Sequence, residues 1–366
     1  MGGVSSGIEK FCSIGMPCLF FMLVIVIIRA CTLGGNDFAV AVLQPDGSTV
    51  EQLIHSSSLD GLKYMFQPGY VTGTGYYVPA TAEVAGQVVS AINGVPVVKF
   101  INEIPNFISI LSTAGGQMFF SLSLGMGIMI TYGSYLDKKQ NIEKNALVIV
   151  ICDTLIALMA GLAVMPARFS LDATGAIGGP KLLFITMQNV FNSMGTVGYV
   201  FGIIFYLLVI LAAVSSSISL LEVIVAHFVD KARDKGKGDK RKSYSAIAAV
   251  AAGLLCVLVC MDGLGSNGMA PFDILKIEAN GWSDCWLDFL DMVSEGVLMP
   301  LGALLMSICI GYELKPQFVD EECCLEGNAF KSKIFFNICI KSITPILMVL
   351  VLLGQLDSFF SLGLFS

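Results

Sequence analysis

The chain has 366 residues, 55% of them hydrophobic and 13% charged, where a soluble protein carries about 25% charged residues. A mean hydropathy of +0.79 with several long apolar runs makes it an integral membrane protein. Its net charge of −7 sits in the loops and gives no basis for nucleic-acid binding, so lipid is the first partner to expect.

The first predicted span covers 11–33, with Arg29 near its end, where a long side chain snorkels to the interface. Residues 34–104 form a long loop rich in Gly, Pro, Thr and Tyr. Its part from about 70 to 103 alternates β-branched and turn residues, which suggests a small hairpin or an irregular cap. A second span, 105–136, contains GQMFFSLSLGMGIMITYGSYL, in which Ser121, Ser123, Gly125 and Gly127 interrupt the apolar pattern. Glycine costs a helix roughly 1 kcal/mol per residue, so a break is expected here. Such a break lines a cavity or marks close helix packing, and this segment alone fits both.

The third span, 144–168, carries the lone carboxylate Asp153. The connector 169–188, with Gly178-Gly179-Pro180, reads as a re-entrant or surface helix. The fourth span, 191–229, exceeds the ~20 residues a bilayer needs and carries Ser215, Ser216, Ser217 and Ser219. Glu222 is expected near its end and solvated. Spans at 244–261, 285–310 and 334–353 complete a set of seven. Lys/Arg residues number fourteen on the side of the N-terminus and loop 231–242 and five on the other. The N-terminus and that loop are therefore expected in the cytoplasm and the C-terminus outside.

Three polar features need partners at mid-membrane. One is the break at Ser121–Gly127. Another is Asp153, whose charge costs about 2.5–3.5 kcal/mol at a span centre, so it is either a paired structural acid or faces a cation. The third is Ala212, Ser215 and Ser216, which share one helical face by their i, i+3, i+4 spacing. Two hydroxyls and a carbonyl suit a hard cation such as Na⁺, whereas serine runs also serve packing and back-bonding. Two histidines and an adjacent Cys323-Cys324 make poor metal or redox motifs, and no G-x-S-x-G, P-loop or H-E-x-x-H is present. Enzymatic activity is not expected.

Several of these runs together resemble the bacterial amino-acid-transporting branch of the neurotransmitter:sodium symporter family. They are GIEKF…MP at 7–17, DGLKYMFQP at 60–68, the broken-helix run 116–136, DTLIALMAG at 153–161 and FITM at 184–187, followed by AAVSSSISLLE at 212–222 and PLGALLMSICIGY at 300–312. The resemblance implies an all-α membrane protein of the leucine-transporter inverted-repeat type. On that reading 11–33 is the last helix of a first repeat, and 34–104 an extracellular loop with an insert. Residues 105–312 are a second repeat of five helices, and 332–355 a final helix. The four helices that precede these in the family have no counterpart, so the resemblance describes a truncated symporter, or one whose missing helices come from a separate chain.

The resemblance also implies roles. Phe120, Ser121, Ser123, Met126 and Leu220 would contact an amino acid substrate. Ser121 and Asp153 would belong to a first sodium site, and Ala212, Ser215 and Ser216 to a second. Asp153 stands where many members have asparagine, and its charge implies that chloride is not required. Met126 replaces an aromatic residue of some relatives, which implies a bulky apolar or aromatic amino acid. The implied function is sodium-coupled symport by alternating access in the cell membrane. The rivals are a non-transporting or partner-requiring subunit and a sodium-independent exchanger of the same fold.

Overall fold

Apolar runs of this length form helices because hydrocarbon offers backbone groups no other partner. The structure, a computed structural model, describes residues 9–67, 75–84, 87–102, 104, 106–172, 174, 182–236 and 240–365. Among these, six helices are long and apolar enough to cross a membrane: Ser13–Cys31, Ile142–Leu171, Thr196–Asp234, Arg241–Asp262, Trp286–Glu313 and Lys333–Phe360. The seventh expected span is the broken one, in two pieces. The fold is thus the expected mostly helical membrane type, and several spans run a few residues beyond their predicted ends. Gly178-Gly179-Pro180 and residues 237–239 of the basic loop lie outside the described residues.

The chain divides into two units, Met1–Pro105 with Thr154–Ser215, and Asn106–Asp153 with Ser216–Ser366. In the first unit, α1 (Glu9–Cys31) leads to β1 (Asn36–Leu43), β2 (Thr49–Ser56) and α2 (Ser58–Phe66). Strands β3 (Tyr76–Pro79), β4 (Ala82–Val84), β5 (Gln87–Val89), β6 (Ala91–Ile92) and β7 (Val95–Ile101) follow. The main sheet has the order β2-β1-β7-β3, with β1 parallel to β7 and β6 paired to β7. An all-α description omits this sheet. The hairpin expected late in the loop is β6–β7, closed by Asn93 and Gly94, both at positive φ, as a type I′ turn requires. The earlier hairpin β1–β2 was not expected; Asp46 and Gly47 form its turn, with Asp46 accepting from Ser48 N at 3.0 Å and Ser48 Oγ at 2.6 Å.

The sheet is tied to α5 (Ile142–Leu171). Ser56 Oγ donates to Phe169 O at 2.6 Å, Asn36 Nδ2 to Ser170 O at 2.7 Å, and Ser170 Oγ to Gly34 O. Gly61 of α2 lies so close to the carbonyl of Met165 that any Cβ would collide with it. The unit's helical core is Met22, Val26 and Ala30 of α1 against Ala163, Ala167, Val190, Phe191 and Phe205. Of the connector 169–188, expected as a re-entrant or surface helix, Leu182–Thr186 is helical and runs on into α6 (Met187–Asn192), and α7 (Thr196–Asp234) starts four residues later. Arg29 does more than snorkel: its Nε donates to Ser193 Oγ at 3.2 Å and Nη2 to Ser193 O at 3.1 Å, which fixes the end of α1 to the turn before α7.

The second unit holds α3 (Phe107–Ser121), α4 (Ile128–Gly133), α8 (Arg241–Asp262) and a short α9 (Pro271–Leu275). The spans α10 (Trp286–Glu313) and α12 (Lys333–Phe360) flank α11 (Pro316–Cys323). Phe119, Met299, Met348 and Val351 form the core where α3, α10 and α12 meet.

Of the adjacent cysteines, Cys323 is buried and Cys324 exposed. Burial first, and then neighbouring Cys324 and acids, push the Cys323 thiol up, and the thiolate is the reactive form. N-ethylmaleimide followed by peptide mapping should label Cys324 at least ~10-fold faster than Cys323. Equal rates would contradict the packing of α11 described here.

Candidate substrate and ion site at the broken helix

Helix α3 stops at Ser121 by a defined device. Ser123 N donates to Phe120 O at 3.1 Å and Leu124 N to Phe119 O at 2.8 Å, with Ser123 at φ +55°. This is the Schellman pattern, with serine where glycine is usual. Gly125 at φ +78° and Gly127 at φ +81° then reverse the chain into α4. Among the described residues, the carbonyls of 121–126 accept no hydrogen bond, and the N–H groups of 125–130 donate none. A helix C-terminal end and a helix N-terminal end therefore flank a stretch of unpaired backbone. The carbonyl side favours cations and the N–H side favours anionic groups.

The break is held against α10. A Cβ on Gly125 would collide with the Met299 carbonyl, and a Cβ on Gly302 would lie 2.6 Å from the Gly125 carbonyl. Two glycines thus let two backbones meet, as the reading of close helix packing expects for this segment. Leu124 and Met126 pack on the Phe119–Met299–Met348–Val351 core, while Phe120 is 53% exposed.

Ser121, the last residue of α3, donates from Oγ to Asp153 Oδ1 at 2.6 Å. The lone span carboxylate and the break, expected separately to need partners, thus meet each other. Ala212, Ser215 and Ser216 lie within continuous helix α7, where Ser215 Oγ donates to Ala212 O at 2.7 Å. The carbonyl and one hydroxyl of that set currently satisfy each other. Leu220, one turn beyond Ser216, is exposed.

A family model described as the sodium:neurotransmitter symporter family matches residues 105–365. The chain belongs to that family. It is 29% identical over 353 residues to an uncharacterised sodium-dependent transporter, YhdH, of Bacillus subtilis (strain 168), covering 96% of this chain and 62% of the relative. It is 27% identical to an uncharacterised sodium-dependent transporter of Haemophilus influenzae, covering 97% of this chain and 62% of the relative. Its fold is similar to that of MhsT, solved in complex with L-phenylalanine, with a TM-score of 0.68 and 27% identity over 96% of this chain and 64% of MhsT. The chain therefore spans about three fifths of the length of these relatives.

One further cluster joins residues far apart in the sequence. Tyr132 OH and Ser219 Oγ lie 2.9 Å apart, and Tyr135 OH donates to Glu222 Oε1 at 2.8 Å. Arg241 Nη2 reaches both oxygens of Glu222, at 2.5 and 2.6 Å. Glu222 is only 13% exposed, so the expectation of a solvated acid is corrected: its charge is paired with an arginine. The signal was available as a lone acid five residues before His227 in an apolar helix, but its partner lies nineteen residues away on α8.

If Gly125 is held as described, Gly125→Ala should lower the apparent melting temperature in detergent, through about 1–2 kcal/mol for the left-handed conformation and the added clash with Met299. Gly253, mid-helix in α8, has nothing within 4 Å of where a Cβ would be. There Gly→Ala should be neutral or stabilising by up to ~1 kcal/mol. Equal responses at the two positions would contradict this geometry.

Proposed function

We propose that this chain is part of a sodium-coupled amino acid symporter working by alternating access, with sodium and substrate as co-transported cargo. The observation that carries the reading is the Ser121–Asp153 pair beside unpaired backbone at the end of α3. A hydroxyl, a carboxylate and peptide carbonyls are hard oxygen donors, which match Na⁺. In this reading Ser121 and Asp153 hold the first sodium ion, and Asp153 supplies the compensating negative charge. Ala212 O with the hydroxyls of Ser215 and Ser216 holds the second. Binding there requires the Ser215 hydroxyl to rotate away from Ala212 O, which it does at low cost.

Phe120, Ser123, Met126 and Leu220 are proposed to contact the substrate, the unpaired N–H groups before α4 favouring its carboxylate. A bulky apolar or aromatic amino acid is the proposed substrate class. The similarity to MhsT, solved with L-phenylalanine, and the adaptable thioether of Met126 support it. The basic-residue distribution supports a cytoplasmic N-terminus and a cytoplasmic loop 231–242.

The test is saturable binding of labelled L-phenylalanine and L-leucine in sodium and in potassium. It is run with this chain alone and with the remaining helices of a longer relative supplied as a second chain. Rescue by the second chain would identify a partner-requiring subunit. Sodium should stimulate binding, and Asp153→Ala should reduce that stimulation at least ~10-fold, the scale of losing a charge-assisted contact. Unchanged sodium dependence would sink the assignment. Replacing chloride by gluconate should leave wild-type binding unaltered, whereas Asp153→Asn should make it chloride-dependent. Chloride dependence in the wild type would contradict the role given to Asp153.

A further inference from the structure

The first unit contains a cavity of about 180 Å³ under the sheet, at the end of α5. Asp60, Tyr76, Tyr77, Arg168, Phe169 and Asp172 contribute to its wall. Its volume exceeds the ~150 Å³ that accommodates benzene in an engineered protein cavity.

The polar groups of this wall are unequally satisfied. Asp60 Oδ2 accepts from Ser57 N at 3.0 Å and Ser57 Oγ at 2.7 Å. Asp172 Oδ1 accepts from Thr174 N at 2.8 Å and Thr174 Oγ1 at 2.5 Å. Burial opposes the charge of Asp60, but the hydrogen bond from Ser57 and then Lys63 outweigh it and hold the carboxyl below its usual range. Both acids already have donors. Arg168 is different: its Nε is buried without a hydrogen-bond partner, and among the described residues the guanidinium makes neither a hydrogen bond nor an ion pair. It lies 5.3 Å from the centre of the Phe169 ring. That ring is 5.2 Å from Tyr64, itself 5.5 Å from Tyr76. A buried guanidinium N–H without an acceptor is costly. Five donors in a planar fork fit a carboxylate through two parallel bonds.

We infer that this cavity binds a small organic carboxylate with an apolar or aromatic body, its carboxylate on Arg168 and its body against Tyr76 and Phe169. The two neighbouring acids repel a doubly charged inorganic anion, while a single carboxylate answers the single cation. The same chemistry is offered by a simple acid and by a free amino acid, whose ammonium group would find Asp172 and Asp60 nearby. The site is separate from the residues proposed for symport and needs no sodium.

The test is calorimetric titration of the full detergent-solubilised chain in sodium-free potassium buffer, with benzoate, L-phenylalanine and inorganic phosphate as probes. Omitting sodium keeps the outcome independent of the symport reading. Saturable binding of benzoate, L-phenylalanine or both, with phosphate at least tenfold weaker, is expected. Tighter L-phenylalanine assigns the site to amino acids, and tighter benzoate to simple acids. Arg168→Gln should weaken the bound probe roughly 10- to 100-fold, the loss expected of a charge-assisted hydrogen bond, and Arg168→Lys should fall between. Absence of carboxylate binding, phosphate binding as tight as benzoate, or an Arg168→Gln variant that binds like wild type would each overturn the proposal. If the variants do not fold, amide exchange of the wild type decides. The bound probe should slow exchange in 75–79 and 168–172, and protection elsewhere or nowhere overturns it.

Discussion

A helix that ends inside an apolar span must leave backbone groups unpaired, and the second unit is built around containing that cost. The chain closes the end of α3 with two reversed hydrogen bonds, from Ser123 and Leu124. It then runs through two left-handed glycines and seats one of them on the backbone of α10. Ser123 at positive φ is strained backbone, of order 1–3 kcal/mol, whereas Gly125 and Gly127 take up the same region freely. That strain persists only because Phe119 on one side and Gly302 on the other leave the segment nowhere else to go. The unpaired carbonyls are thus a consequence of packing, and they are what makes an oxygen-rich site available.

Much of this was legible because the broken run departs from every rule for a continuous span. Alternating serines and glycines announce a break, and a lone aspartate in the next span announces a polar partner. What the spacing left open was that the two would meet, since Ser121 and Asp153 are 32 positions apart. The same limit explains Arg29, whose partner Ser193 lies 164 positions away, and Glu222. A side chain's surroundings are set by residues that local periodicity does not reach.

The early hairpin was hidden for a different reason. Strand β1 buries Val40, Ala41 and Val42 in succession, because β2 and β7 flank it and both of its faces are covered. A strand covered on both faces shows no alternation to read. Strand β2 is an edge with four consecutive exposed residues, and its sequence looks like loop. The Pro45-Asp46-Gly47 turn between them was the usable sign.

Two kinds of hydroxyl contact among the described residues bear on the two proposed ion sets. Ser112, Ser307 and Ser294 each donate to a carbonyl three or four residues back, at 3.0, 2.9 and 2.7 Å. Such back-bonding satisfies a polar atom within its own helix and implies nothing beyond that. Ser215, bonded to Ala212 O, has the same local form. Ser121 is of the other kind, because its hydroxyl leaves its own helix and ends on a carboxylate of another. A cross-element contact of that sort costs the ordering of two side chains and exposes a charge that back-bonding would have avoided. The Ser121–Asp153 pair is therefore the firmer ground for an ion site, and the serine run on α7 depends on a rotation that a cation would have to induce.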